Sequence, residues 1–352
     1  MEAEELIAAI VADPEDRAAW MVYADWLLER GHPRGELIQL GPVAAAGDNA
    51  AKWRIRQLEA DEGVLVSPRL RERARQWRFA FDRGFVTLAE FQRHAEPRVD
   101  AEALRALCAD PHAGLLQTVM LDIFEYLDDE DEVTGTTRRA YARADVGDLD
   151  TELARLRWLR EVRLHGVACT ALAHRSLQHL TTDSITCADA RIDLPALETL
   201  DWHAMSAAAG FGTMLRAPLP RLRSLGIARG YAAMVAELAM HPVARQLASL
   251  SIQTNELAAI LTLVENAAAF PDLRQLSVRG IHEDLEHAEV DRLREALTRA
   301  YPTTEIYVPW RALSPDPPEV LEERSTAAPE VDDQSRRPDG TLDAIGRWNR
   351  GD

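Results

Sequence analysis

A leucine template, L-x-x-L-x-L, recurs through the chain and limits its fold more than any other feature. Its copies are Leu116, Val119, Leu121; Leu159, Val162, Leu164; Leu197, Leu200, Trp202; Leu222, Leu225, Ile227; Leu247, Leu250, Ile252; and Leu273, Leu276, Val278. A degenerate copy, Thr303, Ile306, Val308, ends the series. The alternation at the last positions has the period of a strand with one buried face. From Trp202 onward the third positions fall 25, 25, 26 and 30 residues apart. Between copies, Ala232 to Met240, Leu257 to Val264 and Leu285 to Leu297 carry apolar stripes at helical spacing. Each unit thus reads as a strand followed by a helix, and neither buries its apolar side unless stacked on a neighbour.

The template and spacing resemble leucine-rich repeats, whose period is about 20 to 29 residues. The fold class expected is α/β, a leucine-rich-repeat solenoid of strand-helix repeats. An ordinary α/β domain would carry Gly-rich ligand turns after its strands, and no G-x-G-x-x-G is present. One copy is nearly complete, with Asn255 placed where a side chain satisfies backbone groups as the chain leaves the strand. Earlier spacing is poorer. Leu121 and Leu164 are 43 residues apart, and only a weak copy, Thr182, Ile185, Cys187, can be placed before Trp202. The acidic run Asp128-Asp129-Glu130-Asp131-Glu132, followed by Gly135, reads as an inserted solvated loop.

In such a strand the leucines point inward and the x positions line the concave side. That column contains Thr118, Met120, Asp122; Glu161, Arg163, His165; Thr199, Asp201, His203; Ser224, Gly226, Ala228; Ser249, Ser251, Gln253; and Gln275, Ser277, Arg279. It is polar, charged at both ends and small in the middle. Asp122, Arg163, His165, Asp201, His203, Gln253 and Arg279 are the side chains expected to bind a partner there.

The N-terminal residues follow another pattern. Leu6, Ile7 and Ile10 are helical in spacing up to Asp13-Pro14-Glu15-Asp16, where an Asp caps a second helix and Pro suits its first position. That helix buries Trp20, Tyr23, Ala24 and Leu27, stops at Arg30 with Gly31 as a left-handed C-cap, and is followed by a short helix through Glu36, Leu37 and Leu40. The run Val22-Tyr23-Ala24-Asp25-Trp26-Leu27, Glu29-Arg30-Gly31 and Pro33-Arg34-Gly35-Glu36 resembles the bacterial repeat-companion domain, a helical module found ahead of leucine-rich repeats. Trp77 and Arg83-Gly84-Phe85-Val86 are similar to the segment leading from that module to the repeats. The resemblance implies an arrangement and supplies no catalytic residue. Asp25, Arg30, Arg34 and Glu36 are expected to form a bracing charge network, and an exposed Trp26 offers a docking patch.

Residues 41–50 read as a flexible connector. Trp53, Ile55 and Leu58, then Leu70, Ala74, Trp77 and Phe81, then Ala101 to Ala109, have helix-like spacing. Six arginines between Arg69 and Arg83, with aromatics interleaved, suggest nucleic-acid contact. Against that stands a net charge of −18, with 58 acidic against 40 basic residues, so a solvated helix face is expected and neither nucleic acid nor an anionic membrane surface.

Chemistry is sparse. Lys52 is the only lysine and lies outside any Gly-rich turn, which argues against phosphate-loop, kinase and Schiff-base enzymes. Cys108, Cys169 and Cys187 form no CxxC pair and suit a reducing compartment. His282 and His287 are i, i+5, about 140° apart around a helix, so they diverge instead of sharing a cation; His174 and His179 fail in the same way. His165, His203 and Asp201 are the one place where distant residues could assemble an acid-base pair, and a polar binding face explains them more simply. No enzyme, cofactor or metal is expected. No apolar run is long enough for a membrane span and the acidic N-terminus is unlike a secretion signal, so the expected location is cytoplasmic.

Residues 312–352, rich in Pro and acidic groups, have the composition of a disordered tail, in which Leu342, Ile345 and Trp348 are spaced for a short helix that docks in a partner groove. The organisation expected is a helical module at 1–45, a helical connector at 46–112, the solenoid at 113–311 and the tail at 312–352. Together these point to an adaptor that binds a protein or peptide on the concave face. The alternative is a structural or assembly subunit working through the module or the tail. Partner identity and oligomeric state stay open.

Overall fold

Strands form wherever the template alternates, and they align into one sheet. A computed structural model describes residues 2–60, 77–83, 85–91, 101–110, 113–122, 125–131, 136–142, 144–183, 191–203, 210–280 and 287–308. Its main sheet has ten strands in the order β1-β2-β3-β7-β9-β11-β12-β13-β14-β15. These are β1 (Trp77–Asp82), β2 (Phe85–Phe91), β3 (Thr118–Asp122), β7 (Glu161–His165), β9 (His179–Thr182), β11 (Thr199–His203), β12 (Ser224–Ala228), β13 (Ser249–Gln253), β14 (Gln275–Arg279) and β15 (Glu305–Tyr307). The β1/β2 pair is antiparallel. From β2 to β15 every neighbour is parallel. The architecture is mixed α/β with one long, mostly parallel, open sheet, consistent with a leucine-rich-repeat-like fold.

Register follows the template. Leu200, Leu225, Leu250, Leu276 and Ile306 are successive partners across β11 to β15. Trp202, Ile227, Ile252 and Val278 form the next ladder. A one-residue slip would turn all these side chains to the other face, so burial of one side fixes the pairing. Among the described residues, helices follow β11 to β14: α7 (Phe211–Arg216), α8 (Ala232–Met240), α9 (Leu257–Glu265) and α10 (His287–Ala300). Met234, Val235 and Leu238 of α8, Ala259, Ile260 and Leu263 of α9 and Leu293 and Leu297 of α10 share the core with the strand leucines. Fully burying one such leucine contributes about 1.5–3 kcal/mol.

Several sequence expectations change here. The weak copy assigned to Thr182, Ile185 and Cys187 is displaced: β9 carries the template as Leu177, Leu180 and Thr182, all buried, and Ile185 and Cys187 lie outside the described residues. Threonine fits a strand as well as an aliphatic does, which hid the copy from a search for apolar residues. Third positions therefore fall only 18 residues apart from Leu164 to Thr182 and 20 from Thr182 to Trp202. These two short repeats return through strands instead of helices, β8 (Val167–Ala173) and β10 (Arg191–Asp193), which form a second, parallel sheet with β6 (Ala144–Asp148) from the longer stretch before β7, in the order β10-β8-β6. The strand-helix description therefore holds from β11 onward, and the long stretch before β7 adds only β6 and α6 (Asp150–Leu153), a single turn, besides the hairpin described next. The acidic run is no loop in its described part. It is the first arm of an antiparallel hairpin, β4 (Glu125–Asp131) with β5 (Thr136–Ala142), whose register sets Asp128 opposite Arg139 and Asp129 opposite Arg138.

Trp77 and Phe81 lie on a strand, not a helix. Four-residue spacing satisfies both periods, and pairing with β2 decides between them, setting Trp77 edge-on to Phe91 at 5.3 Å. The basic stretch is thus partly strand, and residues 61–76, with Leu70 and Ala74, lie outside the described residues.

At the N-terminus, α1 (Ala3–Ala12), α2 (Arg17–Glu29), α3 (Arg34–Ala45) and α4 (Asn49–Ala60) form in sequence. The cap of α2 is Asp16, which accepts hydrogen bonds from the backbone N–H groups of Ala18 and Ala19, and Pro14 stands in the turn before it. Gly31 has φ +68°, the left-handed conformation that ends the helix. Residues 41–45 continue α3, Pro42 included, so the expected connector shrinks to the short link before α4. Leu6, Ile10, Trp20, Tyr23, Ala24, Leu27 and Ile38 bury together with Phe85 at the start of β2 and Leu115 just before β3. Arg160, just before β7, donates to the carbonyl of Val11 at 3.3 Å, and Arg83 donates to that of Pro14 at 3.1 Å. The helices thus pack along the N-terminal ends of the first parallel strands. Ahead of β3, α5 (Ala101–Cys108) adds Leu104 and Leu107 to the main core.

Candidate functional site

Parallel pairing turns the x positions into rows across the face opposite the buried leucines. One row reads Met120, Arg163, Thr181, Asp201, Gly226, Ser251, Ser277 and Tyr307. The row nearer the strand ends pairs Asp122 with His165, and further along sets His203 beside Ala228, then Gln253 and Arg279. The strands keep these positions half-buried or exposed while the leucines between them are at most 2% exposed. Register thus puts Arg163, His165, Asp201, His203, Gln253 and Arg279 on one face. Asp122 joins them by its backbone register, its side chain lying outside the described residues. Leu342, Ile345 and Trp348 also lie outside them.

At the β7 end the charges satisfy one another. Arg163 Nε donates to Glu161 Oε1 at 2.7 Å, and Thr118 Oγ1 donates to the other carboxylate oxygen at 3.4 Å. The His165 and His203 rings stand 5.0 Å apart, tilted by 42°. Burial pushes the His203 pKa down and the neighbouring His165 adds to this, while Asp201 and Asp183 oppose it. The net effect favours a neutral imidazole. Asp183 follows β9 in this row, is 2% exposed, and accepts from the Gly166 N–H at 2.7 Å.

Asp201 is different. Its carboxylate lies across Gly226: a Cβ on that glycine would sit 2.1 Å from Asp201 Oδ1. Gly226 is needed for this close approach. Among the described residues the Asp201 carboxylate accepts no hydrogen bond and forms no ion pair. Three strands away, Arg279 Nε donates to Ser277 Oγ at 3.3 Å. Ser224, Gly226, Ala228, Ser249 and Ser251 floor the space between.

Among the described residues no group of three or more His, Cys, Asp or Glu side chains is arranged to hold a metal ion. His174 is buried, with Nε2 3.0 Å from the Leu156 carbonyl, so it belongs to the core. Asn255 is exposed, and the turn leaving β13 is held instead by buried Thr254, whose Oγ1 accepts from the Glu256 N–H at 3.0 Å. A cleft of about 280 Å³ near Leu104, Val146 and Asp148 is occupied at its acidic wall by the Arg105–Glu152 pair, 3.1 Å apart. No helix among the described residues is long and apolar enough to cross a membrane.

The charge network expected in the N-terminal module is redistributed. Asp25 accepts from Gln39 at 2.8 Å, and Glu36 accepts two hydrogen bonds from Arg54, at 2.6 and 2.8 Å, because α4 folds beside α3. Arg34 is 2% exposed, with its guanidinium 4.8 Å from the centre of the Phe85 ring and near Asp110. Trp26 is half-buried instead of exposed. It stacks on Tyr23 at 6.0 Å and is covered by the Arg30 guanidinium at 3.9 Å, both neighbours by helical spacing.

Sequence reasoning missed His179, Thr181 and Asp183, since it misplaced β9; the pair Leu177 and Leu180 was the available signal. No protein-family model matches the chain, and no curated protein does. Among solved structures, the chain is similar to a protein in the crystal structure of a TLR13–ssRNA13 complex, with 16% identity and a TM-score of 0.24 over 47% of this chain and 33% of that one. The chain thus spans about a third of that protein's length.

Proposed function

We propose that the chain is a non-enzymatic interaction adaptor of the bacterial cytoplasm, built as an irregular leucine-rich-repeat-like solenoid that holds a protein or peptide partner on the polar face of its sheet. In this reading residues 1–45 are the repeat-companion module, 46–112 lead to the repeats, 113–311 are the solenoid and 312–352 are an acidic tail. One observation carries the proposal: alternate residues of β7 to β14 stand in register on a face that no described element covers, while the leucines between them are buried. A face of aligned polar side chains offers area and charge pattern instead of a deep pocket, which suits recognition of a macromolecular surface and sets specificity more than raw affinity.

The test is affinity capture from the native cell with three forms of the full chain: unaltered, Ser251→Trp on the polar face, and Leu261→Glu on the exposed side of α9. The expected result is a partner held by the unaltered chain and by Leu261→Glu and lost with Ser251→Trp. A partner lost with Leu261→Glu and retained by Ser251→Trp would favour an assembly subunit using its helical side and overturn the proposal.

A further inference from the structure

Resting on the polar face as the binding wall, we infer that the bound segment is an extended peptide stretch carrying one basic and one acidic side chain about four residues apart, the basic one on Asp201 and the acidic one on Arg279. The wall's other charges between β7 and β14 are already engaged: Glu161 with Arg163, and Asp183 with the Gly166 N–H. Asp201 is left as a carboxylate with no ion-pair partner among the described residues, and Arg279 has only the neutral Ser277 hydroxyl. That hydrogen bond draws the guanidinium back toward the row holding Asp201, since Ser277 pairs with Ser251, Ser251 with Gly226 and Gly226 with Asp201.

The two charges are then three strand spacings apart, about 14 Å at roughly 4.8 Å each. An extended chain advances about 3.3 Å per residue, so complementary side chains fall about four positions apart. Gly226 and Ser251 lie between them and leave room for a backbone to run across the strands. A partner backbone there needs no pocket, and a basic group over Asp201 gains a charge-assisted hydrogen bond that no described residue supplies.

The experiment is selection of phage-displayed random dodecapeptides against the full chain, its Asp201→Arg variant and its Ser251→Trp variant. Expected are peptides with a basic and an acidic residue four apart on the unaltered chain, a shift to two acidic residues at that spacing on Asp201→Arg, and at least tenfold weaker binding of the first set to Asp201→Asn. Peptides that lose binding to Ser251→Trp but carry no such pair, or keep their motif on Asp201→Arg, would overturn this inference and leave the binding wall standing. Peptides indifferent to Ser251→Trp, or no enrichment at all, would overturn the wall itself and the inference with it. Gln253→Trp replaces Ser251→Trp if circular dichroism shows the latter misfolded.

Discussion

Replacing Arg34 tests how the N-terminal helices are joined to the sheet. Arg34 is buried to 2% exposure, lies over Phe85 of β2 and faces Asp110, which is 8% exposed. Burial pulls its pKa well below the usual guanidinium value, to about 10, with Tyr23 and Asp110 opposing. This corresponds to about 3 kcal/mol by which burial disfavours the charge. The pKa stays far above neutrality, so the guanidinium is charged in folded and unfolded chains below about pH 9 and adds no pH dependence of its own there. In Arg34→Met the loss comes from the other side: the buried Asp110 carboxylate loses the attraction of the Arg34 charge, for which about 3 kcal/mol of destabilisation is expected at pH 7. Arg34→Met with Asp110→Asn should recover at least half of it. Urea denaturation followed by circular dichroism and tryptophan fluorescence at pH 7 measures the parent, the single and the double variant. An Arg34→Met chain as stable as the parent at pH 7, or a double variant no better than the single, would refute the argument that a buried charge couples the two parts.

Two further outcomes follow from burial. Leu250→Ala, at a site with no exposure between Leu225 and Leu276, should cost about 2–5 kcal/mol, whereas Ser251→Ala beside it should stay within about 0.5; denaturation midpoints that rank them otherwise would contradict the sheet register. His174 has its pKa lowered by burial, with the Leu156 and Leu153 backbones partly opposing. The stability it confers is complete above the unfolded value near 6.5 and is lost as pH falls through the lower folded one. NMR titration should place its imidazole below 6.5, and a value above 6.5 would remove it from the buried core.

Local patterns were legible wherever one period dominated. The stripe Trp20, Tyr23, Ala24, Leu27, the stop at Gly31 and the aligned columns from Thr199 to Arg279 could all be read because burial of one face leaves one solution. Trp77 and Phe81 were misjudged because their spacing fits two periods. Thr182 was overlooked because a search for large apolar groups passes over a residue that a strand accepts. Trp26 was expected to be free, yet the ring stack and guanidinium covering it come from its own helix neighbours. On the polar face, the positions of Asp201 and Arg279 were readable, but that Glu161 neutralises Arg163 and that the Asp201 carboxylate lies over Gly226 with no ion-pair partner among the described residues were not, since those are facts of side-chain geometry.

The sequence by itself determined which residues alternate, hence which side of each strand is buried and which positions share a row, because a period of two leaves no freedom once one face leaves water. Tertiary structure decided the rest. It brought α1 to α3 onto the N-terminal ends of the first parallel strands, substituted strands for helices where repeats are short, and chose which charges are satisfied internally. Each of these depends on distances between segments far apart in the chain, and local periodicity carries no information about them.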